Sequence, residues 1–158
     1  MKYLLILLFP ILSYSQSCLS FSVYQDAKMA FVGDKRGNDA LTINLRVRSE
    51  WQGKQLKGFY MFVAPEFEFA QLQEDYYRYS ANVGFRLNKF SKLIEASASI
   101  GYGLIVRQNI SSKSFGADTE ISININNKIS LLLNTQLIHR TDWNVIRLSG
   151  FIGVNYKL

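Results

Sequence analysis

Apolar and polar residues alternate along most of this chain from Phe21 onward, with a period of two residues. The clearest segment places Leu41, Ile43, Leu45 and Val47 between Thr42, Asn44, Arg46 and Arg48. An extended strand puts successive side chains on opposite faces, whereas a helix would mix these two groups around its circumference. The alternation therefore predicts β-strands that have one apolar and one polar face.

The same alternation occurs eight times in all, and short segments rich in turn residues separate its occurrences. The turns are expected near residues 34–38, 52–55, 71–75, 88–92, 109–113, 126–128 and 141–144. The first strand is predicted to extend from Phe21 to Phe31. In the third strand Pro65 removes a ladder donor, so a β-bulge is expected there. Eight antiparallel strands joined in sequence predict an all-β fold, an up-and-down β-barrel with both ends of the chain on one side.

The N-terminal residues differ from the rest of the chain. Lys2 precedes an apolar run from Leu4 to Leu12, and small residues follow this run up to Ser15. This order is typical of a secretory signal peptide, and we expect cleavage after Ser15. The predicted organisation is a signal peptide at residues 1–15 and one barrel domain at residues 16–158. The apolar run is too short to cross a bilayer as a helix, so residence in a membrane would depend on the strands.

Cys18 is the single cysteine of the chain, so no disulfide within the chain is expected. Attachment of a lipid to Cys18 is a minor alternative, because the three residues before it lack the aliphatic side chain that such a modification favours. One cysteine and one histidine on different segments do not form a metal-ligand pattern. No metal and no other cofactor is therefore expected.

Charged residues concentrate on the polar face of the predicted strands, and both signs are present in near balance. An enclosed charge needs a partner of opposite sign, because an unpaired charge is costly to bury. Glycines and serines on the same face would make room for long charged side chains. We therefore predict a transmembrane barrel with a polar, charged interior and with its apolar face against lipid. The interior set consists of Asp26, Lys28, Arg46, Arg48, Glu66, Glu68, Arg78, Arg86, Glu95, Asp118, Glu120 and Arg147.

Aromatic residues of the apolar face lie mainly near the predicted strand ends. They form one expected rim at Trp51, Phe59 and Tyr156, and another at Phe31, Phe69, Tyr77 and Trp143. Two aromatic girdles at the membrane interfaces are typical of transmembrane barrels. The alternative is a soluble periplasmic barrel of the lipocalin kind, in which the apolar face would point inward and bind a small apolar ligand.

These features resemble the small outer-membrane barrels of the OmpA and OmpX type, over the whole chain after residue 15. The final strand is similar to the insertion signal of that class, with the residues Ile152, Val154, Tyr156 and Leu158. Members of the class usually end in Phe, where this chain has Leu158. The resemblance implies the outer membrane of a Gram-negative bacterium, contact with its lipids and assembly by the barrel-insertion machinery. It implies no particular activity, because this architecture serves unrelated functions.

The sequence constrains function less than fold. His139 and Thr141 share the outward face, as a histidine and a serine do in lipid A deacylases of similar architecture, and such an enzyme is a minor alternative. The nucleophile would however be a threonine, and no acidic residue is evident to orient the imidazole. The arginines alternate with glutamates inside the predicted barrel, so no nucleic-acid surface is expected.

A lumen of eight strands is narrow enough for charged side chains to fill, so an open pore is not expected. The connections between strands are also predicted to be short, which leaves no evident receptor loop. The sequence therefore favours a non-enzymatic integral membrane barrel with a structural role or with contacts to lipids or proteins. It names no protein partner.

Overall fold

The computed structural model describes residues 19–33, 37–53, 55–56, 58–71, 75–87, 93–141 and 144–158. The predicted signal peptide, Cys18 and Trp143 lie outside the described residues. Within the described part of the chain, no helix is both long enough and apolar enough to cross a bilayer.

Eight strands form a single closed sheet. They are β1 (Leu19–Asp26), β2 (Asn44–Gln52), β3 (Phe59–Ala70), β4 (Tyr76–Leu87), β5 (Ile94–Arg107), β6 (Ile110–Asn124), β7 (Ile129–Arg140) and β8 (Val145–Lys157). Each strand pairs antiparallel with the next, and β8 pairs with β1. The predicted eight-stranded up-and-down barrel is confirmed. A short helix, α1 (Ala27–Phe31), follows β1.

Along each strand, residues that alternate in polarity in the sequence point alternately into the barrel and out of it. Residues directly opposite each other on paired strands share a face, as do Arg46 and Glu68 inside and Val47 and Phe67 outside. In β4 every inward residue from Tyr76 to Arg86 is buried, while the residues between them are exposed. The polar faces of all eight strands thus meet in the interior, and the apolar faces form the outer surface.

The predicted extension of the first strand to Phe31 is wrong, because the chain turns into α1 after Asp26. Asp26 is the N-cap of α1, and its Oδ1 accepts a hydrogen bond from the backbone N of Met29 at 3.1 Å. A helix advances about 100° per residue instead of alternating between two faces. As a result Met29 is buried instead of facing outward, and Lys28 is exposed instead of facing the interior.

The bulge expected at Pro65 is absent. The register between β3 and β4 runs without a shift through the pair Pro65↔Ala81. On the other side of β3, the pairs Arg48↔Glu66 and Trp51↔Val63 keep the same register. The strand therefore loses the proline's donor without inserting an extra residue.

The connections differ in length more than the sequence indicated. Gln108 and Asn109 alone join β5 to β6, with positive φ values of 47° and 64°. Positive φ at both central residues is typical of a two-residue hairpin turn, because the twist of this turn matches the twist of the strands. The turn predicted at residues 109–113 is therefore shorter, and Ser111–Lys113 belong to β6. The first connection, residues 27–43, is longer than expected and includes α1. Leu41 has a φ of 69° and precedes β2 instead of belonging to it.

Candidate functional site in the charged interior

Glu66 of β3 is the centre of a buried ion-pair network. Its Oε2 lies 3.0 Å from both Nε and Nη2 of Arg48 and 3.6 Å from Nε of Arg46. Its Oε1 lies 3.0 Å from Nη1 of Arg78 and also accepts a hydrogen bond from Nε2 of Gln136 at 3.3 Å. One carboxylate of β3 is thus shared by three arginines from β2 and β4, the two strands that flank it.

Two carboxylates of β6 extend the network to the opposite wall. Nη1 of Arg46 donates to Oδ1 of Asp118 at 3.0 Å, and Nη1 of Arg48 lies 3.4 Å from Oε2 of Glu120. Oε1 of Glu120 accepts from Nη2 of Arg86 at 3.0 Å. Because β2 and β6 are on different sides of the barrel, the arginines of β2 reach across the lumen.

Aromatic side chains hold the arginines in place. The guanidinium carbon of Arg46 lies 4.3 Å from the ring centre of Tyr24 and 4.2 Å from that of Phe151. The hydroxyl of Tyr24 in turn donates to Oε2 of Glu120 at 2.7 Å. Stacking on aromatic faces and pairing with carboxylates both stabilise a guanidinium that is removed from water.

The two ends of the interior carry further charged groups. At the end near α1, Nη2 of Arg147 lies 3.7 Å from Oδ2 of Asp26, and the guanidinium of Arg140 lies 4.8 Å from the ring centre of Tyr76. At the end near the termini, Nζ of Lys157 lies 3.3 Å from Oε1 of Glu95. Ion pairs therefore extend along the whole described interior.

Apolar side chains also occupy the interior. Tyr24, Leu132 and Phe151 form one buried cluster, and Tyr60, Phe62 and Ala64 form another. Leu132 and Ile138 break the polar alternation of β7 in the sequence, and both are buried. The lumen is consequently occupied by large side chains as well as by ion pairs.

Most of the predicted interior set lies where it was expected. The inward members are Asp26, Arg46, Arg48, Glu66, Glu68, Arg78, Arg86, Glu95, Asp118, Glu120 and Arg147. Lys28 is the exception, for the reason given above. Glu50 was not in the set, yet its Oε2 lies 2.8 Å from Nη2 of Arg86. The alternation places Glu50 on the polar face, two residues after Arg48, so the sequence identifies it as an inward residue.

The outer surface is apolar. Within the strands described, Lys113 near one end of β6 is the single residue with a full charge on this surface. Trp51, Phe59, Phe69, Tyr77 and Tyr156 of the predicted girdles face outward, and Phe31 is exposed on α1. Ile152, Val154 and Tyr156 form one outward row on β8, and Leu158 follows them with its backbone N bonded to the carbonyl of Leu19. Apolar surface of this extent requires lipid or another apolar partner.

The geometry around His139 does not form a catalytic pair. The hydroxyl of Thr141 donates to the backbone carbonyl of Lys113 at 2.7 Å, so its proton is not directed to the imidazole. His139 itself lies on the outward face between Phe115 and Ile146 of the neighbouring strands. Asp142, the residue that follows this pair in the sequence, lies outside the described residues.

Comparisons with known proteins give the fold and no family. No family model matches the chain, and no curated protein matches its sequence. Among solved structures, the outer membrane protein Ail of Yersinia pestis in a phospholipid nanodisc matches with a TM-score of 0.58 and 11% identity, over 90% of this chain and 100% of that chain. Crystalline Ail in complex with the heparin analogue sucrose octasulfate matches with a TM-score of 0.59 and 10% identity, over 90% and 97% of the two chains. This chain therefore has the fold of a small outer-membrane β-barrel.

Proposed function

We propose that this protein is an integral outer-membrane barrel that acts through contacts with lipids or proteins and not as a pore or an enzyme. The observation that carries the proposal is the burial of Arg46, Arg48 and Arg78 in an ion-pair network that crosses the lumen. The apolar outer surface and the closed sheet both support residence in a bilayer, because lipid cannot satisfy charged side chains or unpaired backbone groups.

The proposed location is the outer membrane of a Gram-negative bacterium, reached after removal of residues 1–15. Support comes from the signal-peptide pattern of the sequence and from the outward row that ends at Tyr156 and Leu158. In this proposal the barrel-insertion machinery recognises that row, and outer-membrane lipids surround the apolar surface. Density separation of inner and outer membranes tests the location, and recovery of the protein in the soluble periplasmic fraction would contradict it.

The closed lumen follows from size and charge together. An eight-stranded barrel encloses a space that side chains can fill. An ion that crosses this lumen must separate partners such as Arg48 and Glu66, whose atoms are 3.0 Å apart. Breaking a buried pair leaves charges without compensation, at a cost of about 3–5 kcal/mol. Steady conduction is therefore not expected.

The two alternative functions have less support. A lipocalin-like barrel needs an apolar interior for its ligand, whereas the described interior is charged. A lipid A deacylase needs a nucleophile activated by a base, whereas the Thr141 hydroxyl is bonded to a backbone carbonyl. A membrane protein with a non-enzymatic role fits both observations.

Conductance across a planar lipid bilayer tests the closed lumen. We expect no steady channel current from the natural protein, and measurable current from the double variant Arg48→Ala/Glu66→Ala, which removes one charge of each sign from the lumen. The matched control is Val47→Ala/Phe67→Ala, at the neighbouring positions of the same strands but on the lipid side, and it should remain silent. Steady current from the natural protein, equal to that of the double variant, would contradict the proposal.

A further inference from the structure

At the end of the barrel near α1, β1 stops earlier than its neighbour β8. β1 ends at Asp26, which lies opposite Phe151, but β8 continues beyond this point to Val145. On its other side β8 remains paired with β7 up to Arg140↔Val145. The part of β8 from Val145 to Gly150 therefore has a strand partner on one edge only, in the part of the chain that the structure describes. An open edge in hydrocarbon would leave backbone groups unsatisfied, so another element has to cover it.

Helix α1 begins where β1 stops, and it packs against β8. Asp26 anchors it to both neighbouring strands. Its Oδ1 accepts from the backbone N of Met29, as described above. Its Oδ2 accepts from Nδ2 of Asn44 at 3.2 Å and lies 3.7 Å from Nη2 of Arg147. At the other end of α1, the backbone N–H groups of Val32 and Gly33 both donate to the carbonyl of Lys28 at 2.9 Å. The segment thus satisfies part of its own backbone and is fixed to the wall, with Met29 buried beneath it.

The outer side of this region is apolar and open. Phe31 is 71% exposed and Val32 75%, and on the adjacent part of β8 both Ile146 and Leu148 are 68% exposed. Ile146 and Leu148 belong to the same outward row as Ile152 and Val154, which faces lipid in the proposed membrane location. Phe31 of α1 and Val32 at its C-cap therefore add to the apolar surface beside β8.

We propose that the first strand begins on the periplasmic side and that α1 completes the barrel wall inside the outer leaflet, with Phe31 and the C-cap residue Val32 inserted among lipid acyl chains. In this proposal α1 is a lipid-binding element and does not project into water. Lys28, exposed on the same helix, places its ammonium near the headgroups while its stem stays on the apolar surface. The inference rests on the proposed membrane location, so its test has to separate the two.

Depth-dependent quenching of tryptophan fluorescence makes this separation. In a background with Trp51→Phe and Trp143→Phe, single tryptophans are introduced as Phe31→Trp, as Val47→Trp on the lipid face of β2, and as Asn127→Trp in the exposed turn between β6 and β7. The proteins are folded into phosphatidylcholine vesicles whose acyl chains are brominated, and heat-modifiable migration confirms folding. Val32→Trp replaces Phe31→Trp if that variant does not fold.

We expect Phe31→Trp to be quenched to a similar extent as Val47→Trp, and Asn127→Trp to be quenched several times less. If Val47→Trp is quenched but Phe31→Trp behaves like Asn127→Trp, then α1 lies in water and this inference is wrong while the membrane location stands. If Val47→Trp also behaves like Asn127→Trp, the membrane location itself is wrong. Either of these two results overturns the proposal for α1.

Discussion

Neighbouring residues of one strand experience opposite environments in this barrel. Arg48 is buried among carboxylates, whereas Val47 beside it faces outward between Val23 and Phe67. A guanidinium is stable at the first position because Glu66 and Glu120 compensate its charge. At the second position lipid offers no compensation. The parity of a position therefore decides whether a charge there meets carboxylates or lipid.

Substitution of Val47 by arginine should measure the cost of a charge on the lipid-facing side. Val47→Arg, in the middle of β2, should lower the free energy of unfolding by about 2–4 kcal/mol, because the charge would lie deep in hydrocarbon. Ile123→Arg is the matched control, since Ile123 faces outward one residue before the end of β6, and it should cost only about 0–1 kcal/mol. Reversible unfolding in urea from lipid vesicles measures both. Equal costs at the two positions would contradict the assignment of the outer surface to lipid.

The sequence predicts the face of each charged residue but not its partners. Period two is sufficient to place Arg46, Glu66 and Asp118 inside. The pairing of Arg46 with Asp118 depends on the register of all strands between β2 and β6, and a shift by two residues on one strand would keep every face and change every partner. The pairing could therefore not be derived from the alternation alone.

At the scale of elements, α1 is a helix in a segment where the alternation predicts a strand. Ala27, Met29 and Phe31 are apolar at every second position, so they continue the pattern of β1 in the sequence. Over five residues such a pattern does not distinguish a strand from a helix. The N-cap at Asp26 and the anchors on Asn44 and Arg147 determine the outcome, and the two anchors lie far from α1 in the sequence.

The anchoring of α1 by Asp26 leads to a prediction about this carboxylate. Asp26→Ala removes the N-cap acceptor and the partner of Arg147, so we expect a loss of at least the ~0.5–2 kcal/mol typical of an N-cap. Asp26→Asn keeps an oxygen that can accept from the backbone N of Met29, and it should retain more stability. Urea unfolding from vesicles gives the stability, and hydrogen exchange at the Met29 amide reports on α1 itself. The role of Asp26 as anchor is wrong if Asp26→Ala leaves both measurements at the values of the natural protein.

At the scale of the whole molecule, closure depends on the seam between β1 and β8. Only the pairs from Ser20↔Lys157 to Asp26↔Phe151 join these strands, whereas β5 and β6 are paired from Ile94↔Ile123 to Arg107↔Ile110. The ladder between β1 and β8 thus has seven pairs, half of the fourteen between β5 and β6. The even number of strands was sufficient to predict that the first and last strands would be neighbours in a closed barrel. The short ladder follows from the early end of β1, which the alternation did not predict because it continues to Phe31.

Removal of the last three residues should open this seam from the end near the termini. Deletion of Tyr156–Leu158 removes the pairs Phe21↔Tyr156 and Ser20↔Lys157, the bond from the backbone N of Leu158 to the carbonyl of Leu19, and the ion pair of Lys157 with Glu95. The backbone groups of β1 at this end would then face lipid without partners, which a bilayer does not tolerate. We expect a smaller fraction of the truncated chain to migrate as a compact, heat-modifiable species on unboiled gels.

The control Leu158→Phe keeps every backbone bond and restores the terminal aromatic residue of the OmpA and OmpX class, so it should assemble at least as well as the natural protein. If the truncated chain assembles as efficiently as the full chain, β8 does not close the barrel and the seam lies elsewhere.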